Sequence, residues 1–89
     1  MFDAERFAEA VIAVRSERRY QDKRWNADAD IDADWGLGDW LAFIEIHINT
    51  AKHAIYDGER DNAVGELRKI AALAVAAMEQ FGAVERESA

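Results

Sequence analysis

Apolar residues recur at intervals of three and four along most of this chain, and the rhythm breaks twice. From Asp3 to about Asp22, Phe7, Ala10, Val11 and Val14 mark one face while Glu5, Arg6, Glu9 and Arg15 fall largely elsewhere. That is the pattern of an amphipathic helix. The rhythm lapses across "DKRWNADADIDADWGLG", which reads as a loop with turn signals at Asn26, Gly36 and Gly38. Asp39 is placed to cap a second helix that runs to about Tyr56, with Leu41, Ile44, Ile48, Ala51 and Ile55 as its inner stripe. "DGERDN" then turns the chain, with Gly58 suited to a helix end and Asp61 or Asn62 to the next cap. A third helix follows from Ala63 to about Phe81, its stripe formed by Leu67, Ile70, Ala74, Ala77 and Phe81. Gly82 ends it, and the residues from about 83 read as a frayed tail.

"FIEIHIN" also alternates as a strand would, but the longer helical rhythm continues on both sides of it. The expected fold is therefore all-α, a single domain over 1–89. Helices two and three form an antiparallel hairpin with the first packed across them. Alanine-rich "IAALAVAAM" allows close helix approach. Phe43 and Ile46 lie off the main stripe of the second helix, which leaves more apolar surface than three short helices can cover. A helical homo-oligomer is expected on that ground.

Composition narrows the classes. With 89 residues the chain is one small domain, and with no cysteine it offers neither a disulfide nor a thiolate zinc site. The acidic start "MFDAERFAEA" does not resemble a signal peptide, no apolar run reaches membrane length, and a cytoplasmic protein is expected. A net charge of −7 argues against binding duplex DNA. Arg15, Arg18, Arg19, Lys23 and Arg24 nevertheless concentrate positive charge near Tyr20 and Trp25, where a small anion would find guanidinium forks and an aromatic ring. A solvated helix end explains the same run.

Other chemistry is poorly supported. Asp28, Asp30, Asp32 and Asp34 mimic the start of a calcium loop, but Ala33 and Asp39 stand where it needs glycine and a bidentate glutamate. His47 and His53 are six apart on different faces of a helix and cannot jointly chelate zinc, so His47 reads as a half-buried packing residue. The two serines, Ser16 and Ser88, have no nucleophile setting, and "WGLGDW" lacks the lysine and spacing of a phosphate loop. Glu45, Asn49, Lys52 and Tyr56 share a polar side of the second helix, and Asn62, Glu66 and Lys69 are placed to face them across the hairpin.

"ERRYQDKRWN", "GLGDWLAFIEIHINTAKHAI" and "GELRKIAALAVAAMEQFG" together resemble small phage and prophage relatives of the MazG-like, all-α nucleoside triphosphate pyrophosphohydrolases, over about residues 17–82. The family holds magnesium on a cluster of carboxylates from two helices. The resemblance implies that Glu45 and Glu66 are retained ligands, while Ile46, Asn49 and Lys69 stand where the other three motif positions would be acidic. Hydrolysis needs the metal to make the nucleophile and neutralise phosphate. The resemblance thus implies a nucleotide pocket that has lost its reaction and requires no cofactor. Arg15, Arg18, Arg19, Lys23, Asn49, Lys52 and Lys69 would contact the ligand, and Trp25 or Tyr56 would stack on a base. The expected role is sequestration of a nucleotide, or of a cyclic nucleotide immune signal of a bacterial host. The alternatives are a divalent-metal-dependent pyrophosphohydrolase using Mg2+, and an interaction module that binds no nucleotide.

Overall fold

Each helix end is set by local chemistry. A computed structural model describes residues 1–27 and 35–87, and places α1 at Ala4–Ala27, α2 at Leu37–Tyr56 and α3 at Arg60–Phe81. The Asp3 carboxylate caps α1 by accepting the backbone N–H groups of Glu5 and Arg6, at 3.0 and 3.1 Å. Phe2 packs on Phe7 across this cap, ring centroids 5.3 Å apart, as a hydrophobic staple. At the far end α1 runs five residues beyond the expected stop at Asp22, passing through Asn26. The reason lies in Trp25, which reaches back to the core and sits 5.5 Å from Trp40. The calcium-like aspartates 28 to 34 lie outside the described residues.

Two caps differ from expectation. Gly36, not Asp39, precedes α2, and Gly38 lies inside the helix. Asp39 acts from the third position, its carboxylate accepting the Gly36 N–H at 2.9 Å. The end of α2 is a Schellman turn: Gly58 is left-handed at φ 75°, the Glu59 N–H donates to Ala54 O at 2.7 Å and the Gly58 N–H to Ile55 O at 3.1 Å. That turn returns the chain to helix at once. So α3 starts at Arg60 rather than Ala63, and Asp61 and Asn62 lie in its first turn instead of capping it. Gly82, at φ 114°, ends α3 as expected, and no helix continues over residues 83–87.

α3 is the middle element. α2 lies antiparallel to it, as the pairs His47–Glu66 and Trp40–Gln80 show. α1 packs on α3 rather than across both helices, and touches α2 through Trp25. The core is small: Trp40, Leu73, Ala76 and Ala77 are buried, with Trp25, Trp35, Phe43 and Ile44 packed around them. Rings meet edge-on or tilted from Trp25 through Trp40 and Trp35 to Phe43. Gln80 locks this chain of rings, accepting the Trp40 indole N–H at 3.0 Å and donating to Trp35 O at 2.9 Å.

The inner stripes are turned relative to expectation. On α2 the covered line is Trp40, Phe43, Ile44, His47, Ala51 and Ala54, while Leu41 and Ile55 are 59% and 60% exposed. On α3 it is Ala63, Glu66, Ile70, Leu73 and Ala77, with Leu67 and Phe81 largely outside. Alanines opposite a tryptophan bring the helices close enough to bury Trp40 completely, which fixes the rotation. Two ion pairs hold α1 down. Arg18 forks onto Glu79 at 2.7 and 3.0 Å, and Arg68 donates to Glu17 at 2.8 Å. Among the described residues, no helix is long and apolar enough to cross a membrane.

Candidate functional site

The hairpin places one charged residue inside. Glu66 is 7% exposed, and a buried carboxylate demands partners. Its Oε1 lies 2.9 Å from His47 Nδ1, and its Oε2 accepts from Lys69 Nζ at 2.9 Å. Burial by itself pushes this carboxyl up. The hydrogen bonds from His47 and Lys69, with the adjacent positive charge, more than offset it, and the group lies below its ordinary value of 4.5. An ionised carboxylate only accepts, so Nδ1 of His47 carries the proton in this contact. The His47 ring is itself fixed by its edge contact with Phe43 at 5.1 Å.

The linkage has a definite sign. A carboxyl depressed in the folded state adds stability above its unfolded value, and that stability is lost as pH falls through the folded one. Glu66→Gln is therefore expected to lower stability at pH 7 by about 1–3 kcal/mol, the range for breaking a charged buried hydrogen bond. The difference between variant and native protein should close as pH falls below about 4.5. Urea melts of both proteins from pH 7 to pH 3 test this; a difference constant over that range would contradict it.

Around Glu66 the hairpin opens into a polar cleft of about 540 Å³, whose walls include Thr50, His53, Asp57, Asn62, Arg68 and Lys69. His53 is also part of a second groove of about 320 Å³, completed by Asn49, Lys52 and Tyr56. Tyr56 is 91% exposed, so its ring is open to a stacking partner. Here Asn49, Lys52 and Tyr56 of the expected polar side of the second helix line one groove, Glu45 does not, and Lys69 borders the neighbouring cleft.

The basic residues of α1 are elsewhere. Arg18, Arg19 and Lys23 border a different depression with Asp22 and Glu79. Arg18 is tied to Glu79, lies 3.7 Å from Asp22 and covers the Trp25 ring at 5.4 Å. It holds α1 on α3 through Nε and Nη2, while its buried Nη1 has no hydrogen-bond partner among the described residues. Trp25 is half-buried, with Trp40 against its edge and Arg18 over its ring. Arg15, Arg19 and Lys23 are exposed. The expected ligand set thus divides between the hairpin and α1 within one chain.

The residual metal pair also separates. The α2 residue that meets Glu66 is His47, as a packing residue, while Glu45 is exposed. Among the described residues no three His, Asp or Glu side chains are grouped to hold a metal ion. Both oxygens of Glu66 are engaged, one by an ammonium, so this donor set does not fit the magnesium centre that the family resemblance implies. Thr50, His53 and Arg68 were not among the expected ligand residues. Their signal was weak, because each is an ordinary polar residue whose importance depends on facing Lys69. Comparison with family models, with curated proteins and with solved structures returns no match.

Proposed function

We propose that this protein binds a nucleotide or nucleotide-derived signal, cyclic forms included, without hydrolysing it, and acts by sequestration as a homo-oligomer. The observation that supports this most is the Lys69–Glu66–His47 arrangement. An ammonium stands beside the retained glutamate, where the resemblance would place a divalent cation. Lys69 has three donor protons and uses one on Glu66, which leaves others for phosphate oxygens in the cleft. Asn62 and Thr50 add short polar groups nearby, and Tyr56 offers a ring for a base. The phage-type resemblance supports a host signal as the ligand and the host cytoplasm as the place of action. Magnesium has no role in this reading.

Equilibrium dialysis against ATP and against a cyclic dinucleotide, with magnesium or with EDTA, provides the test. Binding of at least one of them with the same affinity in EDTA is expected. Affinity that collapses when the cation is removed would overturn the proposal and favour the metal-dependent pyrophosphohydrolase. A second reading, an interaction module without nucleotide, is favoured by the exposed line Leu41, Ile48 and Ile55 on α2. It predicts no retention of either nucleotide.

A further inference from the structure

Residues 4–12 of α1 are all exposed, although this half of the helix runs beside α3. A helix of 24 residues is about 36 Å long, and the ion pairs to α3 come from Glu17 and Arg18, in its second half. Phe2, Phe7, Val11 and Ile12 are 72%, 56%, 45% and 64% exposed. The radius of gyration, 14.4 Å, exceeds the roughly 12 Å of a compact domain this long. Along this exposed half a groove of about 560 Å³ runs between α1 and α3, its apolar walls formed by Phe7, Ala10, Val11, Val14, Ala71 and Val75.

We propose that the groove is filled by α1 of a second copy, antiparallel to the first and related to it by a two-fold axis at Val11. Three observations choose this occupant. The groove and the bare helix adjoin and share Phe7 and Val11, so one patch is both donor and acceptor, as an isologous interface requires. At 100° per residue Ala4, Phe7, Ala8, Val11 and Arg15 fall on one face, and the two alanines let the helix backbones approach. The charges also match. On the N-terminal side of Val11, Asp3, Glu5 and Glu9 outnumber Arg6, whereas over the stretch that faces them, residues 13–19, Arg15, Arg18 and Arg19 outnumber Glu17. Antiparallel pairing sets acidic half against basic half, and parallel pairing sets like against like.

With the axis at Val11, Phe7 of one copy meets the aliphatic stem of Arg15 of the other. Glu5 lies within a turn of Arg19 of the other copy, on the same flank. The N-terminal half of each α1 then covers Ala71 and Val75 of the other copy, so each exposed apolar half is closed by the α3 of the opposite chain. This surface is separate from the hairpin clefts, and binding there neither requires nor excludes it.

The chain has no native cysteine, so single introduced thiols report cleanly. Under mild oxidation Val11→Cys protomers are expected to cross-link in pairs. Phe2→Cys protomers are not, because antiparallel pairing holds the two copies of that position more than about 25 Å apart along the axis. Glu5→Lys and Arg19→Glu should each weaken self-association about tenfold in sedimentation, since the axis counts each ion pair twice, and the double substitution should restore it. Both positions are exposed, so circular dichroism should be unchanged. Cross-linking at both positions or at neither would overturn the proposal. So would a monomer at 100 µM, or a double variant weaker than both single ones.

Discussion

Trp40→Ala is expected to lower the unfolding free energy by about 3–5 kcal/mol, the cost of deleting a fully buried large ring. In a domain of this size total stability is about 5–13 kcal/mol, so a sizeable fraction of the variant should be unfolded in mild denaturant. Trp40 is 1% exposed and its ring lies between those of Trp25 and Trp35, each centroid within 5.5 Å. Removing it frees two rings and leaves Gln80 without its indole donor. Few other large side chains are available to compensate, because the facing residues of α3 include Ala76 and Ala77. Trp40→Phe keeps most of the ring volume and should cost less than half as much. Urea melts followed by far-ultraviolet circular dichroism give both numbers. A loss under about 1 kcal/mol for the alanine variant would mean that the ring cluster does not hold the helices together.

Lys69→Asp should weaken binding of the retained nucleotide at least tenfold, since it exchanges a phosphate donor for a repelling carboxylate. It also removes the ammonium 2.9 Å from Glu66 and puts a second acid beside a buried one. The variant should therefore be less stable than the native protein at neutral pH, and should recover as magnesium is added, because a cation that binds only the folded form stabilises it. The native protein should show no such response. Thermal melts at several magnesium concentrations, with dialysis on the same samples, separate the two effects. Unchanged nucleotide affinity in the variant would place the phosphates elsewhere. Loss of affinity without a magnesium response would keep Lys69 as the contact while denying that the position suits a cation.

The helices were legible in the sequence because their periodicity is long and strong, and the ends of α2 and α3 at Tyr56 and Phe81 carry glycine signals that act as expected. Rotation about the helix axes was not legible. Leu41, Ile48 and Ile55 form as good a stripe as Trp40, His47 and Ala54 on periodicity alone, and more apolar by composition. The choice depends on which residues of α3 are small enough to receive a tryptophan, a property of two helices together. The stop of α1 was not legible for a related reason. Its charges from Arg18 to Arg24 look solvated, yet Arg18 and Trp25 both turn inward.

Site legibility divides in the same way. Asn49, Lys52 and Tyr56 come together because they lie on one helix face at helical spacing. That His47 rather than Glu45 would meet Glu66 follows from the register across the hairpin, which no single helix reveals. A glutamate at position 66 reads as a solvated acid or a metal ligand. Its burial depends on a histidine 19 positions away and a lysine one turn on. The exposed apolar side of α1 was anticipated only as a surplus of apolar surface, without its place, because the groove beside it exists only once α1 has crossed α3.

The central claim is capture without chemistry, and it is tested most directly by the fate of the bound nucleotide. Native protein is incubated with the retained nucleotide and magnesium, and the free pool is chromatographed before and after heat denaturation. The account predicts that the nucleotide leaves the free pool and returns intact and in full when the protein is denatured. Recovery as the monophosphate with pyrophosphate would contradict it, and would mean that Glu45 and Glu66 still assemble a working metal site.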